Sequence, residues 1–214
     1  MRYPDRPVEP RRVFLRVAVA ALLAAPLALA APVAVKELPF APNAAAGFKA
    51  PGKLVGGLRW TDRNGENVLA FWRGESQRRV GDETQLSAIL YARHYAAGKL
   101  LREVKDLVER CEFDLTLAIV DGSPRVTDLD KDGIGEATFA YKLGCRSDVS
   151  PLTLKLLVLE GGAKHILRGE TRVDVGGGES MGGTYKVDAS FARAPAFLAH
   201  AKKVWQAVVD EKLR

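Results

Sequence analysis

Cysteine is nearly absent: Cys111 and Cys145 are the only two in 214 residues. They form no C-x-x-C pair, so nothing supports a dithiol redox role. Histidine is almost as scarce. His94, His165 and His200 fit neither H-E-x-x-H nor any other metal-binding spacing. The G-x-S-x-G elbow, the P-loop and the dinucleotide fingerprint are all missing. The nearest glycine-rich run, "GGGES", lacks the Lys and Ser/Thr of a phosphate cradle. Long apolar stretches are missing too. The longest, residues 17–31, has 15 residues, whereas a membrane-spanning helix needs about 20. No basic stripe appears either, which sets nucleic acid aside as a partner.

The chain opens with "MRYPDRPVEPRRVFLR", five Arg against two acidic residues, followed by "VAVAALLAAPLALA". Ala28 and Ala30 frame an A-x-A cleavage site. Basic, apolar and small segments in that order predict a signal peptide over residues 1–30 and a periplasmic or secreted destination. "RRVFLR" is similar to a twin-arginine export motif, although Pro10 stands where Ser or Thr is usual. A Sec signal is the alternative. Beyond residue 30 the chain holds 27 Lys+Arg against 24 Asp+Glu, so much of its basic character lies in the leader. No later stretch is long enough to span a membrane. In an exported chain, two cysteines predict a Cys111–Cys145 disulfide.

Residues 31–53 are rich in Ala and Pro. They read as a linker with one short edge strand in "VAVKELPF". Residues 54–214 predict a single β-rich domain. "LVGGLRW" and "NVLAFWRG" flank an Asn64-Gly65 hairpin signal, and "LTLKLLVLE" and "AKHILRGETRV" flank Gly161-Gly162. "TQLSAILYARHY", "EFDLTLAIV" and "EATFAYKL" are further strands. "LLREVKDLVER" fits helix or strand. "VGGGESMGG" predicts a mobile loop. After Pro195, Phe197, Leu198, Ala201, Val204, Trp205 and Val208 recur at helical spacing, an amphipathic helix of about 17 residues. Such a helix would cover an open sheet face. The predicted class is α+β, mostly β: an antiparallel meander of hairpin-linked strands with a C-terminal amphipathic helix.

One segment carries chemistry. "TDLDKDGIGEATF" places Asp128, Asp130 and Asp132 at alternate positions, then Gly133, with Glu136 close behind. Such crowded carboxylates repel unless a cation sits among them. Side chains at alternate positions of a tight turn converge, and the carbonyl of Ile134 can join them. Hard oxygen donors with no nearby His or Cys favour Ca2+. The predicted ligands are Asp128, Asp130, Asp132, Ile134 and Glu136, in a structural role. The EF-hand pattern fails, because its twelfth position is Phe139 and the flanks read as strands. Cys111 and Cys145 bracket the loop in sequence, which would let disulfide and ion brace one corner.

The spacing D-x-D-x-D-G-x-x-E resembles the calcium loops of FG-GAP repeats, which lie between strands of integrin-type propellers. Here a single copy ends in Glu, without the array a propeller needs. A wider resemblance rests on "CEFDLTLAIV", "VTDLDKDGIGEATFAYKLGCRSDVSPLTLKLLVLEGGAKHILRGET" and "GGTYKVDASFARAPAFLAHAKKVW". These segments are similar to small exported bacterial proteins labelled surface polysaccharide biosynthesis, a family without a described mechanism. It implies a similar fold and the same loop, and brings no established active site. The resulting expectation is an exported, non-catalytic binding or accessory module with an envelope glycan or protein as partner. An envelope-glycan hydrolase or transferase would need two carboxylates on one groove, and Glu160, Glu170 and Glu179 are candidates. An envelope protein-interaction module would show an exposed apolar patch. Trp60, Phe71, Trp72, Tyr91 and Tyr95 could stack on sugars, but in strands they are expected in the core.

Overall fold

The computed structural model describes residues 34–211. The predicted signal peptide lies outside the described residues. Strands β1 (Lys36–Leu38), β2 (Lys53–Asp62), β3 (Gly65–Val80), β4 (Glu83–Ala96) and β5 (Lys99–Cys111) form one antiparallel sheet in that order. The following strands are β6 (Asp114–Ile119), β7 (Arg125–Thr127), β8 (Glu136–Arg146), β9 (Thr153–Glu160) and β10 (Ala163–Glu170). With β13 (Tyr185–Val187) they make a second sheet, ordered β13-β10-β9-β8-β6, with β7 also on β8. β11 (Arg172–Gly176) and β12 (Glu179–Gly182) pair with each other. Helix α1 (Pro195–Val208) follows. The class is α+β and mostly β, with hairpin-linked strands divided between two facing sheets. No helix among the described residues is long and apolar enough to cross a membrane.

Side-chain alternation explains the stacking. Leu69 and Phe71 of β3 face inward onto Leu117, Phe139, Leu157 and Leu159 of the second sheet. The alternate residues, Val68, Ala70 and Trp72, point to the opposite face. β9 behaves likewise: Leu157 and Leu159 face the first sheet, while Leu154, Leu156 and Val158 meet α1 through Phe197, Val204 and Trp205. Strands buried on both faces read as continuous apolar runs, hence "NVLAFW" and "LTLKLLVLE". The helix covers the sheet as expected. It is shorter than the predicted 17 residues, ending at Val208.

Three details differ from expectation. The β2–β3 turn sits at Arg63-Asn64, one residue early, because Asp62 Oδ1 accepts the Asn64 amide at 2.8 Å and Gly65 adopts a φ of 97° behind it. "VGGGESMGG" is not a free loop but the β11–β12 hairpin, with Val173 opposite Met181. Residues 40–50 pack as a cover on the first sheet's outer face: Ala45 is buried there and Phe48 stacks on Tyr95 at 3.8 Å between ring centroids. "LLREVKDLVER" is strand throughout.

Candidate metal centre

The acidic loop joins β7 to β8. Chain reversal over so few residues uses left-handed backbone at Lys131 (φ 64°) and at Gly133 (φ 79°), where glycine adopts it at little cost. The tight path folds carboxylates back onto amides. Asp130 Oδ1 accepts Asp132 N at 3.2 Å, Asp132 Oδ1 accepts Ile134 N at 2.7 Å, and Asp128 Oδ1 accepts Gly133 N at 3.4 Å. Glu136 is fully buried; it takes the Leu129 amide at 3.0 Å and the Thr127 hydroxyl at 2.9 Å.

Asp128, Asp130 and Glu136 each offer an oxygen within 4.8 Å of the others. Asp130 and Asp132 make a second such group with Glu160. From the sequence alone, Glu160 stands only among the candidate hydrolytic acids. The signal that identifies it is register: Ala137 pairs with Leu159, so the next step along each strand brings Glu160 opposite Glu136. Like charges facing each other across strands are unfavourable. Burial holds Glu160 up to about 7, with Asp130, Asp132, Glu136 and Asp128 adding to the shift. Burial raises Glu136 to about 7 as well; the Leu129 and Thr127 bonds oppose the rise and Asp130 reinforces it. Glu160 Oε1 is buried without a hydrogen-bond partner among the described residues. Ile134 lies on the loop with its amide given to Asp132.

The β2–β3 turn grips this loop from the other sheet. Arg63 N donates to Gly133 O, and Arg63 Nη1 to Asp132 O, both at 2.8 Å. The guanidinium also approaches the Asp132 carboxylate at 3.9 Å. Asp62, itself buried, accepts Gly135 N and Trp60 Nε1, each at 3.1 Å. Gly135 fits because a Cβ there would lie 2.5 Å from Trp60 Nε1. Backbone donors and Arg63 therefore shape the loop, while the carboxylate oxygens around Asp130 keep excess negative charge. Asp128, Asp130 and Glu136, or Asp130, Asp132 and Glu160, are the residues that could hold a hard divalent cation, which prefers such oxygen donors.

The disulfide forms between Cys111 and Cys145, with Cα atoms 5.5 Å apart. It does not share a corner with the loop. Cys145 and Glu136 stand near opposite ends of β8, about 30 Å apart at ~3.3 Å per residue. The histidines occupy separate places. His94 is buried against Asn67, His165 Nδ1 lies 2.8 Å from Ser190 O, and His200 Nε2 lies 3.1 Å from Thr138 Oγ1. Trp60, Phe71, Trp72, Tyr91 and Tyr95 are all buried, as expected of core aromatics. Comparison of the chain with protein families, with curated proteins and with solved structures returns no match.

Proposed function

We propose that this chain is an exported, non-catalytic binding or accessory module of the cell envelope, periplasmic or secreted, held together by a Ca2+ ion and a disulfide. The observation that carries the reading is convergence on Asp130: its carboxylate belongs to both oxygen groups, one drawn from the loop and one reaching Glu160 of β9. Asp128, Asp130, Asp132 and Glu136 would hold the ion, with Glu160 added and the Ile134 carbonyl as a further donor. Repulsion among them favours any ion that neutralises them. The export signal predicted over residues 1–30 would deliver the module to a compartment outside the cytoplasm, where an extracellular-type calcium site of modest affinity can fill. An envelope glycan or protein as partner rests on the resemblance to polysaccharide-associated exported proteins.

A hydrolase reading would use Asp130 or Asp132 with Glu160. It would also need a substrate groove beside them. Among the described residues, clefts of about 760, 470 and 440 Å³ open instead beside Ile89 and Leu107, beside Glu179 and Asp210, and beside Phe71 and Ile119, and the loop lines none of them.

Thermal melting in calcium against chelator tests the ion. At about a hundredfold excess over Kd, binding adds about 2.7 kcal/mol, or roughly 5–10 °C in a domain of this size. Asp130→Ala should remove that shift. A wild-type Tm that ignores millimolar calcium sinks the reading. A glycan screen with and without chelator then tests the partner.

A further inference from the structure

The β3–β4 hairpin outruns its neighbours. β2 ends with Lys53 opposite Arg73, and β5 ends with Cys111 opposite Leu86. Beyond them β3 and β4 stay paired to Val80 and Glu83, and every residue from Glu75 to Thr84 is exposed. A two-stranded arm without a third strand is marginal in water. Along Glu75–Val80 no strand among the described residues takes the outer edge, and such an edge is a template for pairing with another chain.

The turn fixes which backbone groups point outward. Gly81 (φ 62°) and Asp82 form a two-residue connection, so Val80 and Glu83 are its hydrogen-bonded closing pair. Hydrogen-bonded positions alternate along an antiparallel ladder. Val80, Arg78 and Ser76 therefore direct their amides and carbonyls to β4, while Arg79, Gln77 and Glu75 direct theirs to the open edge. A second copy meeting this edge antiparallel, with Gln77 opposite Gln77, sets Glu75 opposite Arg79 twice. In that register every outward amide finds a carbonyl and both charge pairs are complementary on one face. Arg79 Nε donates a long bond to Gly81 O at 3.3 Å and its guanidinium lies only loosely beside Asp82, at 3.9 Å with both side chains exposed. Glu75 already touches Arg73, whose Nε is committed to Leu117 O, and would lie between two guanidinium groups.

We propose that the protein self-associates through this arm, two copies joining their β3 edges about a dyad at Gln77 into one continuous sheet. The contact is smaller than a standard interface, so association depends on concentration. The proposal is independent of the calcium reading.

Sedimentation of the purified protein from about 10 µM to about 1 mM tests it, a range suited to a contact this small. Wild type should shift from monomer to dimer. Glu75→Arg and Arg79→Glu should each weaken the dimer roughly tenfold or more, since like charges then face each other at both pairs. The double variant Glu75→Arg/Arg79→Glu should dimerise again, and so should a mixture of the two single variants. Gln77→Pro removes an outward amide and should abolish the dimer while leaving the monomer's melting unchanged. A monomeric wild type at every concentration overturns the proposal. So does a dimer indifferent to the single charge variants or to Gln77→Pro, or one that neither the double variant nor the mixture restores.

Discussion

Glu160 and Glu136 ask opposite things of the protein according to whether a cation is present. Without one, each carboxylate is buried beside others and is driven toward its protonated form. Glu160→Gln removes one charge from that cluster. In chelator the variant should melt at or above the wild-type temperature, because repulsion falls. In calcium it should bind roughly tenfold or more weakly, because the carboxamide keeps one oxygen but loses the ligand's charge and its second oxygen. Calorimetric titration together with melting separates the two effects, and a variant that is destabilised in chelator as well would make Glu160 a structural residue only.

His94 gives the fold a defined response to acid. Burial holds it down at about 4, with Asp62 pulling the other way. Its Nε2 lies 3.0 Å from Asn67 Oδ1, while Nδ1 has no partner among the described residues. The unfolded chain takes up a proton near pH 6.5 that the folded chain refuses until about pH 4. The stability His94 contributes is therefore complete above about 6.5 and lost as pH falls toward 4, a difference of about 3 kcal/mol. Urea unfolding of wild type and His94→Gln between pH 7 and 4 checks this. The variant should lose less stability over that window, and parallel curves would refute the assignment.

At the scale of elements, α1 carries the clearest single anchor. Trp205 is fully buried among Leu156, Val158 and Leu167, and its indole donates to Gly183 O at 3.2 Å. Trp205→Ala should cost about 3–5 kcal/mol in urea unfolding, whereas Lys202→Ala on the exposed side should change little. The helix was legible because its apolar spacing is a local property. β5 was not, since Leu100, Leu101 and Leu107 are exposed in spite of their chemistry, and only pairing with β4 decides strand over helix. The β11–β12 hairpin is not legible for another reason: backbone pairing between Arg172 and Gly182 needs no side-chain signature. Within the candidate site, Asp128, Asp130, Asp132 and Glu136 could be read from one stretch of sequence. Glu160, Asp62 and Arg63 could not, because strand register and sheet stacking bring them in from afar.

For the whole molecule, the disulfide and the loop are two ties between the same pair of sheets. Cys111 ends β5 in the first sheet and Cys145 lies in β8 of the second. At the other end of β8, Arg63 and Asp62 of the first sheet hold the loop of the second. Removing the disulfide by Cys111→Ser/Cys145→Ser releases a loop with separation 34 and should cost roughly 3–4 kcal/mol in the chain-entropy account. Because the two ties stand about 30 Å apart, that cost should be the same in calcium and in chelator, within about 0.5 kcal/mol. Urea unfolding of both proteins in both conditions measures the coupling directly. Strong coupling would mean that losing one tie lets the sheets part along the whole of β8, so that the other is no longer formed. Independent costs would mean that the core between the sheets, Leu69 and Phe71 against Phe139 and Leu157, keeps the two ends from sensing each other.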